Sequence, residues 1–165
     1  MVVRLLLEDD APAYLALLRQ IDEETSYLMW EPGERTLSEA ALRARLVSRD
    51  LGERIQLVAE DDGSLVGFLA GVRGGPRRIR HRADLAMGVL RQARGRGAGS
   101  KLLEAFEAWA VEYGIWRLEL TVMAHNERAI RLYESFGFSR EGVKRKAIVV
   151  DGAAVDEIVM GKLLN

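Results

Sequence analysis

The chain has 165 residues, 48% of them hydrophobic and 30% charged, with a formal net charge of -1, a mixture that suits one soluble domain over 1–165 with a substantial core. The near-neutral balance gives no whole-chain field for nucleic acid or a membrane surface, and the absence of cysteine removes disulfides, thiolate metal sites and a cysteine nucleophile and fits a cytoplasmic setting. The apolar run in "MVVRLLLEDD" is too short for a secretory h-region, acids follow it, and no stretch is long enough to span a bilayer.

In chain order, "VVRLLL" (2–7) reads as a strand. The segment 8–25 opens with acids and Pro12 and repeats apolar residues at Tyr14, Leu15, Leu17, Leu18 and Ile21, which predicts a helix. Residues 26–35 read as irregular, with Pro32-Gly33 as a turn. A second helix follows over 37–50, with Ser38 as its N-cap. "IQLVAED" and "SLVGFLAGVRG" are strands joined at Asp61-Asp62-Gly63, a hairpin signal.

"RHRADLAMGVL" (80–90) is a strand that sets Leu85, Met87 and Val89 on one face and Asp84, Ala86 and Gly88 on the other. After the loop at 91–97, residues 98–113 carry a helical apolar period through Leu102, Leu103, Phe106, Trp109, Ala110 and Tyr113, ended by Gly114. "IWRLELTVM" is a strand, Asn126 caps a helix over 127–136, and Gly137 stops it. Two strands joined at Asp151-Gly152 make a terminal hairpin. The order β-α-α-β-β-β-α-β-α-β-β predicts an α/β (α+β) protein: a mixed, mostly antiparallel sheet of six or seven strands flanked by about four helices.

The stretch "RQARGRGAGSKLL" (91–103) joins a strand to a helix. A helix start offers free N–H groups and partial positive charge, and glycines let the backbone approach a ligand, so the loop is an anion cradle. Arg91, Arg94 and Arg96 stand ready to add charge. The glycines fall at Gly95, Gly97 and Gly99, and Ser100 follows the last. That spacing fails both the dinucleotide fingerprint and the nucleoside-triphosphate loop. On the residues alone, a tight turn with solvated arginines stands beside the cradle reading.

The loop resembles the acyl-CoA-binding motif of the GNAT (N-acetyltransferase) superfamily, R/Q-x-x-G-x-G/A, with Arg94, Gly97 and Gly99 in its fixed places. "NERAIRLYESFGF" (126–138) is similar to the family's asparagine-helix-tyrosine segment through Asn126, Ala129, Tyr133, Gly137 and Phe138, and "VDEIVMGKLL" resembles the last strand of many members. The resemblance spans the chain. It implies acetyl transfer from acetyl-CoA to an amine, with acetyl-CoA as donor substrate and no metal. It implies that the loop Arg94, Gly95, Arg96, Gly97, Ala98, Gly99 and Ser100 holds the pyrophosphate of CoA, with Asn126 close to the cofactor. Val89 and Leu90 would bond the pantetheine arm by their backbones, in a gap where their strand splays from "RLELTV".

Tyr133 occupies the place of a general acid for the departing thiolate, while its periodicity with Ile130 and Phe136 equally suits a core residue. Asp84 stands where many members carry a carboxylate acting through water; an ion pair with Arg80 or Arg82 is the alternative. Of the two histidines, His125 adjoins Asn126, and a surface position is its plainer reading. No His/Asp/Glu grouping has metal-ligand spacing.

The resemblance assigns acceptor choice to the first two helices, their connection and the terminal hairpin. That connection supplies Asp22, Glu23, Glu24, Glu31, Glu34, Tyr27 and Trp30, residues suited to a cationic amine, or to an ordinary solvated loop. Two other readings stand apart from an enzyme: an acyl-CoA sensor of the same fold, and nucleic-acid binding through the basic run 73–82. No nucleic-acid motif accompanies that run. Members of the family commonly form homodimers through their terminal strands; the residues themselves do not specify an assembly.

Overall fold

The elements run β1 (Val2–Leu5), α1 (Ala11–Glu24), α2 (Glu39–Val47), β2 (Arg54–Asp61), β3 (Ser64–Arg73), β4 (Arg82–Val89), α3 (Ala98–Glu112), β5 (Arg117–Met123), α4 (Glu127–Ser135), β6 (Ser139–Val150) and β7 (Ala153–Leu163). This is the expected order, in a computed structural model that describes residues 1–164. Local chemistry explains the boundaries. The Ser38 hydroxyl accepts the Ala41 N–H at 3.1 Å to start α2, and Asn126 Oδ1 accepts the Ala129 N–H at 3.3 Å to start α4, each satisfying an orphan donor of a first turn. Asp62 and Gly63 both take positive φ, the geometry that a two-residue hairpin turn demands.

The strands form one seven-stranded sheet in the order β1-β2-β3-β4-β5-β7-β6. All neighbours are antiparallel except β4 and β5. That parallel pair holds only over Arg82–Asp84 against Arg117–Glu119. β3 stays paired to β4 as far as Val89, opposite Gly67, and β7 stays paired to β5 as far as Met123, opposite Glu157. Each strand thus keeps its outer neighbour while the two part from one another, and the sheet opens in the middle.

Two apolar layers cover the sheet. On one face Leu102, Leu103, Phe106, Trp109 and Ala110 of α3, with Ile130 and Tyr133 of α4, pack on Leu57, Leu69, Leu85, Leu118 and Leu120. On the other, Tyr14, Leu17, Leu18 and Ile21 of α1, with Leu42 and Leu46 of α2, pack on Val58 and Phe68. Each such large side chain contributes about 1.5–3 kcal/mol by leaving water. α1 lies over β3. Further along that face, β5 and β7 present Glu119, Thr121 and Glu157, the alternates of the buried Leu118, Leu120 and Ile158. A polar floor therefore adjoins the gap between β4 and β5.

Candidate active site

Gly95 and Gly97 have φ of 75° and 85°, a left-handed backbone that a side chain strains. Gly99 serves a different end: it lies inside α3, and a Cβ there would stand 2.9 Å from Leu132 Cδ2 of α4. The alternating glycines thus shape a loop and let two helices touch. The first N–H of α3 with a backbone acceptor is that of Lys101, on Gly97 O at 3.0 Å. Among the described residues, none of the N–H groups from Gly95 to Ser100 has a backbone partner. Successive free N–H groups at a helix N-terminus make an anion nest.

This nest opens onto a cleft of about 860 Å³ that follows the gap between β4 and β5, within the range of small-molecule sites. Arg94, Gly95, Gly97, Ala98, Gly99 and Ser100 line it, together with Val89, Asn126 and Tyr133. The Leu90 N–H bonds Val66 O at 2.9 Å. Antiparallel ladders alternate their direction, so the N–H of Val89 turns the opposite way, into the gap. Val89 O accepts Arg94 Nε at 3.1 Å, tying the strand end to the cradle.

Tyr133 is 7% exposed and meets Phe138 edge to face at 5.8 Å between ring centroids. Core packing and cleft lining are therefore both true of it. Burial pushes its phenol up to about 12, so it stays protonated at neutral pH and can donate to negative charge developing in the gap.

Three expected site residues do not line this cleft. Leu90 is buried in the α1–α2 layer and its N–H is already used. Arg96 forms an ion pair with Asp61 at 2.7 Å instead of reaching over the nest, and the same carboxylate receives the N-terminal ammonium at 3.3 Å. Asp84 sits at the last paired step of β4 and β5, before the gap opens. Neither alternative partner engages it: Arg80 pairs with Glu53, and Arg82 faces Glu119 at 3.6 Å. Partial desolvation and the Glu119 carboxylate raise the Asp84 pKa, against the pull of Arg82, Lys144 and Arg117.

Three acids of the α1–α2 connection, Asp22, Glu24 and Glu34, are also occupied. Asp22 is 3% exposed and takes a forked pair of bonds from Arg35, at 2.5 and 3.0 Å. Glu24 accepts the Arg91 N–H at 2.6 Å, and Glu34 accepts the Glu31 N–H at 2.8 Å. Trp30 lies under the Arg35 guanidinium at 5.7 Å. What this segment gives the cleft is Thr25, Tyr27, Leu28 and Met29. The basic run is likewise engaged in part, with Arg73 Nε on Arg80 O at 2.6 Å and Arg80 on Glu53.

Several cleft residues escaped the sequence reading. Arg128 lines the cleft and brings Nη2 to 3.8 Å from where a Gly95 Cβ would be. Its signal was its place in the first turn of α4, two residues past the Asn126 cap. His125, read from the sequence as a surface residue able to touch the site, is both: it is exposed and lines the cleft, with its ring 5.1 Å from that of Tyr27. Thr121 and Glu157 line the cleft from the polar floor. No group of three or more His, Asp or Glu suited to a metal ion occurs among the described residues, and no described helix is long and apolar enough to cross a membrane.

Free N–H groups suited to an anion, a long cleft along a parted sheet and a buried phenol in its wall together suit the binding of an elongated anionic molecule. Comparison with known proteins gives the family. The model of the Acetyltransferase (GNAT) family matches residues 15–138, and the chain belongs to that family, the acyl-CoA-dependent N-acetyltransferases. It is 37% identical over 110 residues to the L-amino acid N-acetyltransferase AaaT of Escherichia coli, covering 66% of this chain and 67% of the relative. It matches the structure of a ribosomal-protein-alanine N-acetyltransferase from Brucella melitensis with a TM-score of 0.86 at 29% identity, over 99% of this chain and 100% of that one. A phosphinothricin acetyltransferase from Sinorhizobium meliloti, solved with acetyl-CoA, shares the fold with a TM-score of 0.85 at 19% identity, over 99% and 88% of the two chains.

Proposed function

We propose that the protein transfers the acetyl group of acetyl-CoA to a primary α-amine, that of an amino acid or a peptide N-terminus, by direct attack on the thioester. The observation that carries this reading is the cleft itself: free N–H groups from Gly95 to Ser100 at its mouth, parted strands along it, and Tyr133 in its wall. The pyrophosphate of CoA rests on the nest, with Arg94 and Arg128 supplying charge beside it and Asn126 at its edge. The pantetheine arm runs between β4 and β5 and meets the inward N–H of Val89.

The amine attacks the thioester carbonyl, the C–N bond forms, and the C–S bond breaks. Tyr133 donates its phenolic proton or a hydrogen bond to the departing sulfur. The same apolar wall that holds the phenol protonated raises the proton affinity of the thiolate, which favours that donation. The α-amine class rests on the likeness to the Escherichia coli and Brucella relatives, whose named acceptors both present one.

The test is thiol release from acetyl-CoA over a panel of L-amino acids, an alanine-terminated peptide and polyamines, with the product identified by mass. Release that depends on an α-amine is expected. No release with any amine, together with no thermal shift by CoA, overturns the reading.

A further inference from the structure

Amine attack needs a neutral nitrogen, and an acceptor arrives as an ammonium. None of the acids of the α1–α2 connection lines the cleft, and neither does Asp84. Among the described residues the cleft has two carboxylates, Glu127 and Glu157. Glu127 lies in the first turn of α4 and pairs with Arg131 at 3.2 Å. Glu157 has no cation within ion-pair distance among the described residues. Among the described residues its one side-chain polar contact is the Thr121 hydroxyl, which donates to Oε1 at 3.1 Å.

Placement gives this carboxylate its meaning. Glu157 lies on β7 opposite Met123 of β5, on the face of Thr121. Tyr133 belongs to the layer on the opposite face. Both line one cleft, because the sheet is open between β4 and β5. A thioester held in that opening has a proton donor on one side and a proton acceptor on the other. We infer that Glu157, fixed by Thr121, receives the acceptor's ammonium and takes its proton, acting as the general base of the reaction. This rests on the acetyl-transfer reading above.

The step balances. One ammonium proton passes to the Glu157 carboxylate, and the freed lone pair forms the C–N bond. Collapse breaks C–S, Tyr133 protonates the sulfur, and the second nitrogen proton returns through water to the phenolate. Of its two oxygens, Oε2 is the one left for the ammonium, since Thr121 holds Oε1. His125 also lines the cleft, but its ring packs on Tyr27.

The test compares Glu157→Gln, Glu157→Asp and Asp84→Asn by kcat/KM for the amine against pH, with the CoA-induced thermal shift measured on each. The titratable groups sharing this region are Lys144 on β6, directly opposite Glu157, Asp84 on β4, Glu119 on β5, Glu127 of α4, Tyr27 and His125 at the rim, and Tyr133 across the gap. Glu157→Gln is expected to keep the CoA shift and lose roughly 10²-fold or more in kcat/KM near neutral pH, the size of a missing base. Its remaining rate should climb with pH as free amine accumulates, while Glu157→Asp recovers part of the loss. A Glu157→Gln enzyme with wild-type kcat/KM and pH profile overturns the inference, as does transfer of that loss and profile to Asp84→Asn. A wild-type enzyme that acetylates no amine sinks the acetyl-transfer reading instead, so the two failures are distinct.

Discussion

Gly97 offers the sharpest test of the anion nest, because strain and charge can be separated there. Its φ is 85°, and nothing lies within 4 Å of a Cβ built on it. Gly97→Ala therefore meets no clash and carries only the cost of a left-handed alanine, about 1–2 kcal/mol. For a chain of this size that lowers Tm by roughly 2–8 °C. The cost is the same with and without ligand, so CoA affinity should barely change. Gly97→Asp carries the same strain and adds a negative charge beside the nest. At roughly 5 Å and an effective dielectric of about 20, each pair of unit charges repels by about 3 kcal/mol, or about two decades in Kd. Calorimetric titration of CoA into both variants reads the difference directly. An Asp variant that binds CoA within about threefold of the Ala variant, well short of those two decades, would show that the pyrophosphate lies elsewhere.

Tyr133→Phe should lower kcat by about 10²-fold while leaving the CoA thermal shift intact, as expected for a proton donor used only in the transition state; an unchanged kcat removes Tyr133 from the chemistry. Asp22→Asn breaks a largely buried ion pair with Arg35 and should destabilise the fold by about 3 kcal/mol, read by urea unfolding. Because Arg35 anchors the segment that brings Tyr27 and Met29 to the cleft, KM for the amine should rise while CoA affinity holds; unchanged stability and KM would contradict this. Asp84 carries a raised carboxyl pKa, so its ionisation opposes folding once pH exceeds the unfolded value of about 3.9. Asp84→Asn should unfold at higher urea than wild type at neutral pH, with the gap closing below about pH 3; a gap independent of pH would refute the linkage.

Much of this was legible in the residues because it is local. The spacing of Leu102, Leu103, Phe106 and Trp109 marks the buried face of α3, and all four are buried. Ser38 and Asn126 announce helix starts, and both accept the capping N–H. The cradle was legible as a motif, although the motif does not say that Gly99 answers to Leu132. What stayed hidden depends on partners distant in sequence. The acids of the α1–α2 connection suit either a cationic amine or a solvated loop until Arg35 and Arg91 are seen to hold Asp22 and Glu24. Arg96 reads as a phosphate ligand until Asp61 is found beside it. Glu157 is one of three charged residues in β7, and only the pairing of β7 with β5 sets it on the floor of the cleft. The parting of β4 from β5 came with the family resemblance, since strand pairing is not a local property.

On this reading the opening between β4 and β5 is the channel of the acyl donor. A crystal structure of the protein with acetyl-CoA tests it most directly. Pyrophosphate oxygens are expected on the N–H groups between Gly95 and Ser100, pantetheine between the parted strands, and the thioester between Tyr133 and Glu157. A donor bound outside that opening, or a thioester remote from Tyr133, contradicts it.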